Sequence, residues 1–215
     1  MERIYCISGL GGNQKLFEKL IVKGYELVPV NWVPFEKKDT LANYAQKLAK
    51  TIPEANPIIL GLSFGGMLTV EIAAQQNVKK ALIISSAKSR DELTLAGGGF
   101  SRCVVNAGIV PAGFFTIPNP VAIKYLGAKS CADKKMLRDV IRNSDGLFMK
   151  RALKAIMNWE RGPGPVNVTH IHGTADKVIA SAASKPDYWI QYGTHFMIYD
   201  RADEVSKIIS GILSK

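Results

Sequence analysis

The chain has 215 residues, of which 47% are hydrophobic and 21% charged, and its formal net charge is +10. This length suits one domain with a substantial core, and no stretch approaches the roughly 20 continuous apolar residues that span a bilayer. The N-terminal residues enter a strand-like run without the features of a secretory signal peptide. We therefore expect a cytoplasmic protein with no membrane partner.

Cysteine usage agrees with a reducing compartment. Cys6, Cys103 and Cys131 stand at long, irregular spacings, without a C-x-x-C pair or an accompanying histidine cluster. Neither a disulfide framework nor a zinc site is indicated. We interpret all three as structural thiols and expect no metal and no cofactor.

Short β-rich runs alternate with amphipathic helical stretches, a pattern that predicts βαβ units, a parallel sheet and helices on both of its faces. The predicted strands cover residues 3–8, 27–31, 57–62, 80–85, 166–172 and 188–191. Several of them are continuously apolar, as expected of strands that are buried on both faces.

Helices are predicted between these strands from the spacing of apolar residues. The first has Leu16, Phe17, Leu20 and Ile21 on one face and ends at Gly24. Others are a helix capped by Asp39 or Thr40, a helix from Ser63 to about Gln76, and a C-terminal helix that carries Val205, Ile208, Ile209 and Ile212.

The alternation stops between residues 87 and 165. A glycine run, Gly97–Gly99, and a proline- and aromatic-rich stretch at 114–120 precede two helical stretches near 133–143 and 145–159. We interpret residues 87–165 as an inserted helical cap and residues 1–86 plus 166–215 as the core. The predicted fold is a three-layer α/β sandwich with a mostly parallel sheet of about six strands.

Most of the positive charge lies in this cap. From Lys88 to Arg161 there are 13 Lys+Arg against 6 Asp+Glu. These charges are interspersed along helix-like patterns and no nucleic-acid-binding motif accompanies them, which favours a solvated helical face. We predict no nucleic-acid partner; a basic cap would favour an anionic small molecule. The sequence indicates no oligomeric state.

Gly61-Leu62-Ser63-Phe64-Gly65 matches the pattern G-x-S-x-G. The glycines are needed because the serine occupies a strained turn between a strand and a helix, where side chains two residues away would collide. Here the motif follows an apolar strand and opens a helical pattern, which is the context that the motif requires. Ser63 is the candidate nucleophile.

This motif and two further segments make the chain resemble the α/β-hydrolase superfamily. The resemblance covers nearly all of the chain outside the cap. Residues 172–176, HGTAD, resemble the H-G-x-x-D segment after the penultimate strand, and residues 193–196, GTHF, resemble the loop that delivers a histidine. The resemblance implies the α/β-hydrolase fold and a catalytic triad in the order Ser63, Asp176, His195. In such a triad the imidazole takes the serine proton and the carboxylate orients the imidazole.

The chain offers other candidates for the acid and the base. Asp187, Asp200 and Asp203 also lie in the C-terminal part, whereas Ser85-Ser86 occupies the place where some relatives carry the acid. The other two histidines, His170 and His172, share a strand, and we expect them to point to opposite faces of the sheet. As a metal pair they lack a third ligand.

The resemblance also implies an oxyanion hole formed by the backbone N–H groups of Leu10 and Phe64. Residues 8–12, SGLGG, resemble the family's H-G-x-x-G loop, with serine in place of histidine. The alternative for this loop is a plain βα turn, and the phosphate-binding pattern G-x-G-x-x-G is not met.

The cap is expected to supply an acyl or alcohol pocket. Its candidate lining residues, which could equally form the core of the cap, are Phe114, Phe115, Met149, Met157 and Trp159.

The sequence therefore predicts a serine hydrolase that cleaves a small ester or thioester through an acyl-enzyme. A serine at the nucleophile position argues against haloalkane dehalogenase and epoxide hydrolase chemistry, which the family associates with aspartate there. Carbon–carbon bond hydrolysis, acyl transfer and a non-catalytic ligand-binding protein on the same scaffold are the alternatives.

Overall fold

Six strands form one open sheet in which every neighbouring pair is parallel. The computed structural model describes residues 1–93, 110–164 and 166–214. The strands are β1 (Glu2–Ile7), β2 (Tyr25–Pro29), β3 (Ile58–Leu62), β4 (Lys80–Ile84), β5 (Thr169–Gly173) and β6 (Tyr188–Ile190). They lie in the order β2-β1-β3-β4-β5-β6. The predicted six-stranded α/β architecture is confirmed.

Helices cover both faces of this sheet. Those in the described residues are α1 (Leu41–Ala49), α2 (Phe64–Gln75), α3 (Pro120–Leu126), α4 (Cys131–Arg142), α5 (Gly146–Met157), α6 (Met197–Asp200) and α7 (Ala202–Leu213). Short 3₁₀ turns occur at Gln14–Phe17, Arg90–Glu92 and Ala112–Thr116. None of these helices is long and apolar enough to cross a bilayer.

Side chains alternate along the strands and form two apolar layers. On β1, Tyr5 and Ile7 belong to the layer that contains residues of α1, α2 and α5. Ile4 and Cys6 belong to the opposite layer, which contains residues of α6 and α7. Successive side chains of a strand point to opposite faces, so a strand covered on both sides reads as a continuous apolar run.

The first predicted helix is wrong. Only the four residues Gln14–Phe17 are helical, with the tighter 3₁₀ geometry, and the amide of Leu20 donates to the carbonyl of Phe17 at 3.0 Å. A period of three places residues 17 and 20 on the same side. Leu20 is buried as expected, but Ile21 is 76% exposed.

Helix starts in the rest of the chain follow local capping. Thr40, not Asp39, is the N-cap of α1 and forms a capping box with Asn43. Helix α5 is capped by Asp145, whose side chain accepts hydrogen bonds from two backbone amides. Helix α3 was not predicted, although it carries a strong start signal: Asn119 is its N-cap and Pro120 its first residue.

Three features of the sequence interpretation lie outside the described residues: the glycine run Gly97–Gly99, Cys103, and Pro165 at the end of the predicted cap. Cys6 is buried on β1 and Cys131 is exposed at the start of α4. Burial raises the pKa of the Cys6 thiol, which makes that thiol a poor nucleophile.

The strand order determines where functional residues meet. The chain places β2 on one side of β1, and β3 and the later strands on the other side. In open parallel sheets, ligands bind beyond the carboxyl ends of the strands near such a reversal of strand order. Leu10 follows β1, Ser63 follows β3, Asp176 follows β5 and His195 follows β6. The parallel sheet therefore delivers all of these residues to one edge.

Candidate active site

The side chains of Ser63, His195 and Asp176 form a hydrogen-bonded row. Ser63 Oγ lies 2.9 Å from His195 Nε2, and His195 Nδ1 lies 2.8 Å from Asp176 Oδ2. Because a carboxylate only accepts hydrogen bonds, Nδ1 carries the imidazole proton and Nε2 is free to accept the proton of Ser63. Asp176 and His195 are buried, whereas Ser63 is partly exposed.

Ser63 has the strained backbone expected of a nucleophile turn. Its φ of 52° lies in the region that side chains disfavour. A Cβ at Gly65 would clash with the carbonyl oxygens of Ile7 and Ser8, and a Cβ at Gly61 would clash with the carbonyl of Gly65. Only glycine at both positions lets the turn close against β1.

Asp176 is held by the loop that carries it. Its Oδ1 accepts hydrogen bonds from the amides of Val178 at 2.9 Å and Ile179 at 3.1 Å. Burial acts to raise the pKa of Asp176, but the neighbouring His195, His172 and the Ile179 amide outweigh it, so the pKa is lowered. The carboxylate is therefore ionised and oriented at neutral pH.

Two loops meet at the site: the loop after β5, which carries Asp176 and is called the acid loop, and the loop after β6, which carries His195 and is called the histidine loop. Hydrogen bonds of their backbones join them. Ala175 N donates to the Gly193 carbonyl at 2.9 Å, and Tyr192 N donates to Thr174 Oγ1 at 2.7 Å. A Cβ at Gly173 would clash with the backbone of Gly193. This close approach brings Asp176 within hydrogen-bond distance of His195.

The expectation for His170 and His172 is wrong. Residues two apart on a strand share a face, and His170 Nε2 lies 3.0 Å from His172 Nδ1 on fully buried side chains. His172 Nε2 lies 3.1 Å from the carbonyl of Ile179, so this nitrogen donates. His172 Nδ1 must then accept from His170.

This imidazole pair lies beneath the acid. His172 Nε2 is 3.7 Å from Asp176 Oδ2, and the carbonyl that it binds belongs to the acid loop. Burial lowers the pKa of His172 and, with repulsion from His172 and Lys88, lowers the pKa of His170 to about 3. Both rings are therefore neutral at physiological pH, and they support the loop as uncharged hydrogen-bonding groups.

Among the described residues, the competing acidic residues form no hydrogen bond with His195. Asp187 accepts from the His170 amide at 2.8 Å and pairs with Lys88 at 2.9 Å. Burial raises the pKa of Asp200, and Asp203 lies on α7. In the described part of the chain, Asp176 is the carboxylate bonded to His195.

The loop after β1 passes beside Ser63. A Cβ at Gly9 would lie 3.5 Å from Ser63 Cβ, which places the backbone of Leu10 close to the site. Ser8, which stands where the family pattern has histidine, donates from its Oγ to the Asn13 carbonyl at 3.4 Å. Leu10 and Phe64, whose backbone amides are the predicted oxyanion-hole donors, both border the space beside Ser63.

A cavity of about 260 Å³ opens beside Ser63 and His195. Its walls include Leu10, Phe64 and side chains of α4 and α5. None of the five residues that were predicted to line a pocket does so here. Phe114 is 61% exposed, and Met157 and Trp159 are buried; Phe115 pairs with Phe114, and Met149 contacts Gly11 instead. Met157 and Trp159 therefore belong to the packed interior, whereas Phe114 faces solvent.

One polar cluster was missed in the sequence. Glu71 on α2 is buried and accepts hydrogen bonds from Trp159 Nε1 at 2.7 Å and Arg161 Nε at 2.7 Å. Burial acts to raise the pKa of Glu71, but Arg161 and Trp159 outweigh it and lower the pKa. The cluster ties the helix that follows Ser63 to the residues after α5. No short motif signals it, because its members are about 90 residues apart.

Within the described ranges, no group of three or more His, Cys, Asp or Glu side chains is arranged to hold a metal ion.

No family model and no curated protein matches this sequence. Solved structures do match: an enol-lactonase from Burkholderia xenovorans has a TM-score of 0.79 at 17% identity, over 100% of this chain and 92% of that one. An esterase from Exiguobacterium antarcticum has a TM-score of 0.78 at 14% identity, over 100% of this chain and 92% of that one. A lipase-esterase related protein from Clostridium acetobutylicum has a TM-score of 0.71 at 16% identity, over 98% of this chain and 93% of that one. The chain has the α/β-hydrolase fold, as the resemblance implied.

Proposed function

We propose that this protein is a serine hydrolase that cleaves a small carboxylic ester or thioester through an acyl-enzyme on Ser63. One observation carries the proposal: the row from Ser63 Oγ through His195 to Asp176, with both hydrogen bonds below 3 Å. The strained turn at Ser63 and the apolar cavity beside it supply an exposed nucleophile and a place for substrate. A site of this geometry suits acyl transfer to serine.

The first half-reaction transfers the acyl group to the protein. Ser63 Oγ attacks the carbonyl carbon while His195 Nε2 takes the hydroxyl proton, and the ionised Asp176 stabilises the resulting imidazolium. The tetrahedral intermediate collapses as the bond from carbon to the leaving oxygen or sulfur breaks. His195 returns the proton to that leaving atom, and the alcohol or thiol departs.

The second half-reaction uses water. His195 Nε2 takes a proton from a water molecule, whose oxygen attacks the acyl carbon. The bond to Ser63 Oγ breaks, the serine regains its proton and a carboxylic acid is released. In each half-reaction the backbone N–H groups of Leu10 and Phe64 stabilise the oxyanion.

The solved structures of the same fold support an ester as the scissile bond. They include an esterase and an enol-lactonase, and a lactone is a cyclic ester.

A fluorophosphonate probe tests the nucleophile directly. We expect the wild type to be labelled and Ser63→Ala to be unlabelled, while Ser210→Ala, a matched change on the distant helix α7, labels like the wild type. A screen of acetyl esters and thioesters then assigns the bond, and added alcohol reports acyl transfer as a new ester product.

A folded wild type that resists the probe and turns over no ester or thioester would contradict the proposal. That result would favour the ligand-binding alternative on the same scaffold. Circular dichroism and a cooperative thermal transition establish that each variant is folded.

A further inference from the structure

The cavity beside Ser63 is apolar apart from the reacting groups. In the part of the chain that the structure describes, its polar side chains are Ser63 and His195, and no Lys, Arg, Asp or Glu lines it. The remaining walls include glycine backbone of the loop after β1 and apolar side chains of β3, α2, the cap helices and the segments that follow β5 and β6. A ligand group in this space finds no partner for a charge.

Helix α4 of the cap turns its apolar face to this cavity and charged residues to solvent. On α4, Leu137 and Val140 are 5% exposed and line the cavity. Lys135 and Arg142 on the same helix are exposed. This is the ordinary arrangement of an amphipathic helix. The exposed basic residues of α4 are therefore on a different face of the helix from the residues that line the cavity.

From these observations, and resting on the proposed function, we propose that the cavity is an acyl pocket selective for uncharged aliphatic acyl groups of medium length. An ionised group buried without a partner loses its hydration and gains nothing in return. An aliphatic chain in the same space gains free energy with each methylene removed from water. The site therefore selects against an acyl group that ends in a carboxylate.

The volume limits the length of the chain. A group of water size occupies about 30 Å³, so a cavity of about 260 Å³ holds roughly eight or nine non-hydrogen atoms of that size. An octanoyl group fills it, and longer chains must leave part of their length outside.

Leu153 on α5 is the residue best placed to test this limit. It lines the cavity and is partly exposed, so an enlarged side chain has room to be accommodated without unfolding the core. Leu213 on α7 has the same residue type and a similar exposure but does not line the cavity. Leu153→Trp and Leu213→Trp are therefore a matched pair.

The experiment compares kcat/KM for the p-nitrophenyl esters of acetate, octanoate and octanedioate, the last carrying a free terminal carboxylate. We expect octanoate to exceed octanedioate by roughly 100-fold or more and acetate by at least about 10-fold. Leu153→Trp should lower the octanoate value about 10-fold and spare acetate, and Leu213→Trp should change neither. Similar values for octanoate and octanedioate, or an equal loss on both neutral esters in Leu153→Trp, would overturn the inference.

Calorimetry with Ser63→Ala gives a readout without catalysis, and the variant leaves every apolar residue of the cavity walls in place. Methyl octanoate should bind and monomethyl octanedioate should not; equal binding of the two, or none by methyl octanoate, overturns the inference. Ser63-dependent labelling and acetyl ester turnover without these preferences would remove the pocket proposal and leave the hydrolase. Absence of labelling and turnover would remove both.

Discussion

The buried pair His170 and His172 makes the stability of this protein depend on pH above the range in which carboxylates titrate. Both side chains have no exposed surface. The pKa of His170 is lowered to about 3. The main cause is burial, and electrostatic repulsion from His172 and Lys88 lowers the pKa further. In the unfolded chain the same imidazole titrates near its ordinary value of about 6.5.

The sign follows from proton binding. Between pH 6.5 and about 3 the unfolded chain holds a proton on His170 that the folded protein does not, so the free energy of unfolding falls as the pH falls. With these two pKa values, the loss at pH 5 relative to pH 8 is about 2 kcal/mol from His170 alone. The lowered pKa of His172 adds a loss of the same sign.

Urea unfolding of the wild type, His170→Gln and Ser63→Ala at pH 8, 7, 6 and 5 measures this effect. Glutamine keeps a donor toward His172 but does not titrate, so the variant should lose about 2 kcal/mol less than the wild type across this window. Ser63→Ala removes no titrating group in this range and should follow the wild type. Equal pH dependence of the wild type and His170→Gln would refute the reasoning that a buried neutral imidazole is responsible.

Three further substitutions test the site and its supports. Asp176→Asn presents an amide that favours the wrong tautomer of His195, and kcat on an activated ester should fall roughly 10³- to 10⁴-fold with little change in Tm; a loss below tenfold would contradict the role of the acid. Glu71→Gln weakens the buried pair with Arg161 and should cost roughly 3 kcal/mol in urea unfolding, whereas an unchanged midpoint would show that the cluster contributes little. Gly65→Ala drives a methyl group into the backbone of β1 and should cost at least about 2 kcal/mol; wild-type stability and activity would refute the close approach.

Much of the fold follows from local patterns in the sequence. The apolar strands and the helices α1, α2, α4, α5 and α7 were predicted within a few residues, because burial on two faces and a period of 3.6 leave clear signals. The first helix was wrong because apolar spacing alone does not separate a short 3₁₀ turn from an α-helix. Helix α3 was missed; it begins at the end of the proline- and aromatic-rich stretch 114–120, for which no helix was predicted.

The three residues of the candidate site could be predicted from the sequence because each lies in a recognisable short segment. A glycine two residues on either side of Ser63, a short segment that ends in Asp176, and a loop histidine at 195 are readable without a structure. Their roles stay predictions, but the structure brings the three side chains within hydrogen-bond distance of one another. The supports of the site, such as the Ile179 amide beneath Asp176 and the ring of His172, have no comparable signal.

The sequence by itself determined the alternation of strands and helices and the residue types available for chemistry, since both depend on neighbours along the chain. Only the tertiary structure decided that His170 and His172 meet on one face, that Glu71 binds Arg161, and which apolar cap residues border Ser63. These contacts join segments from different strands and helices. Their partners are chosen by packing around the whole core, which no local pattern encodes.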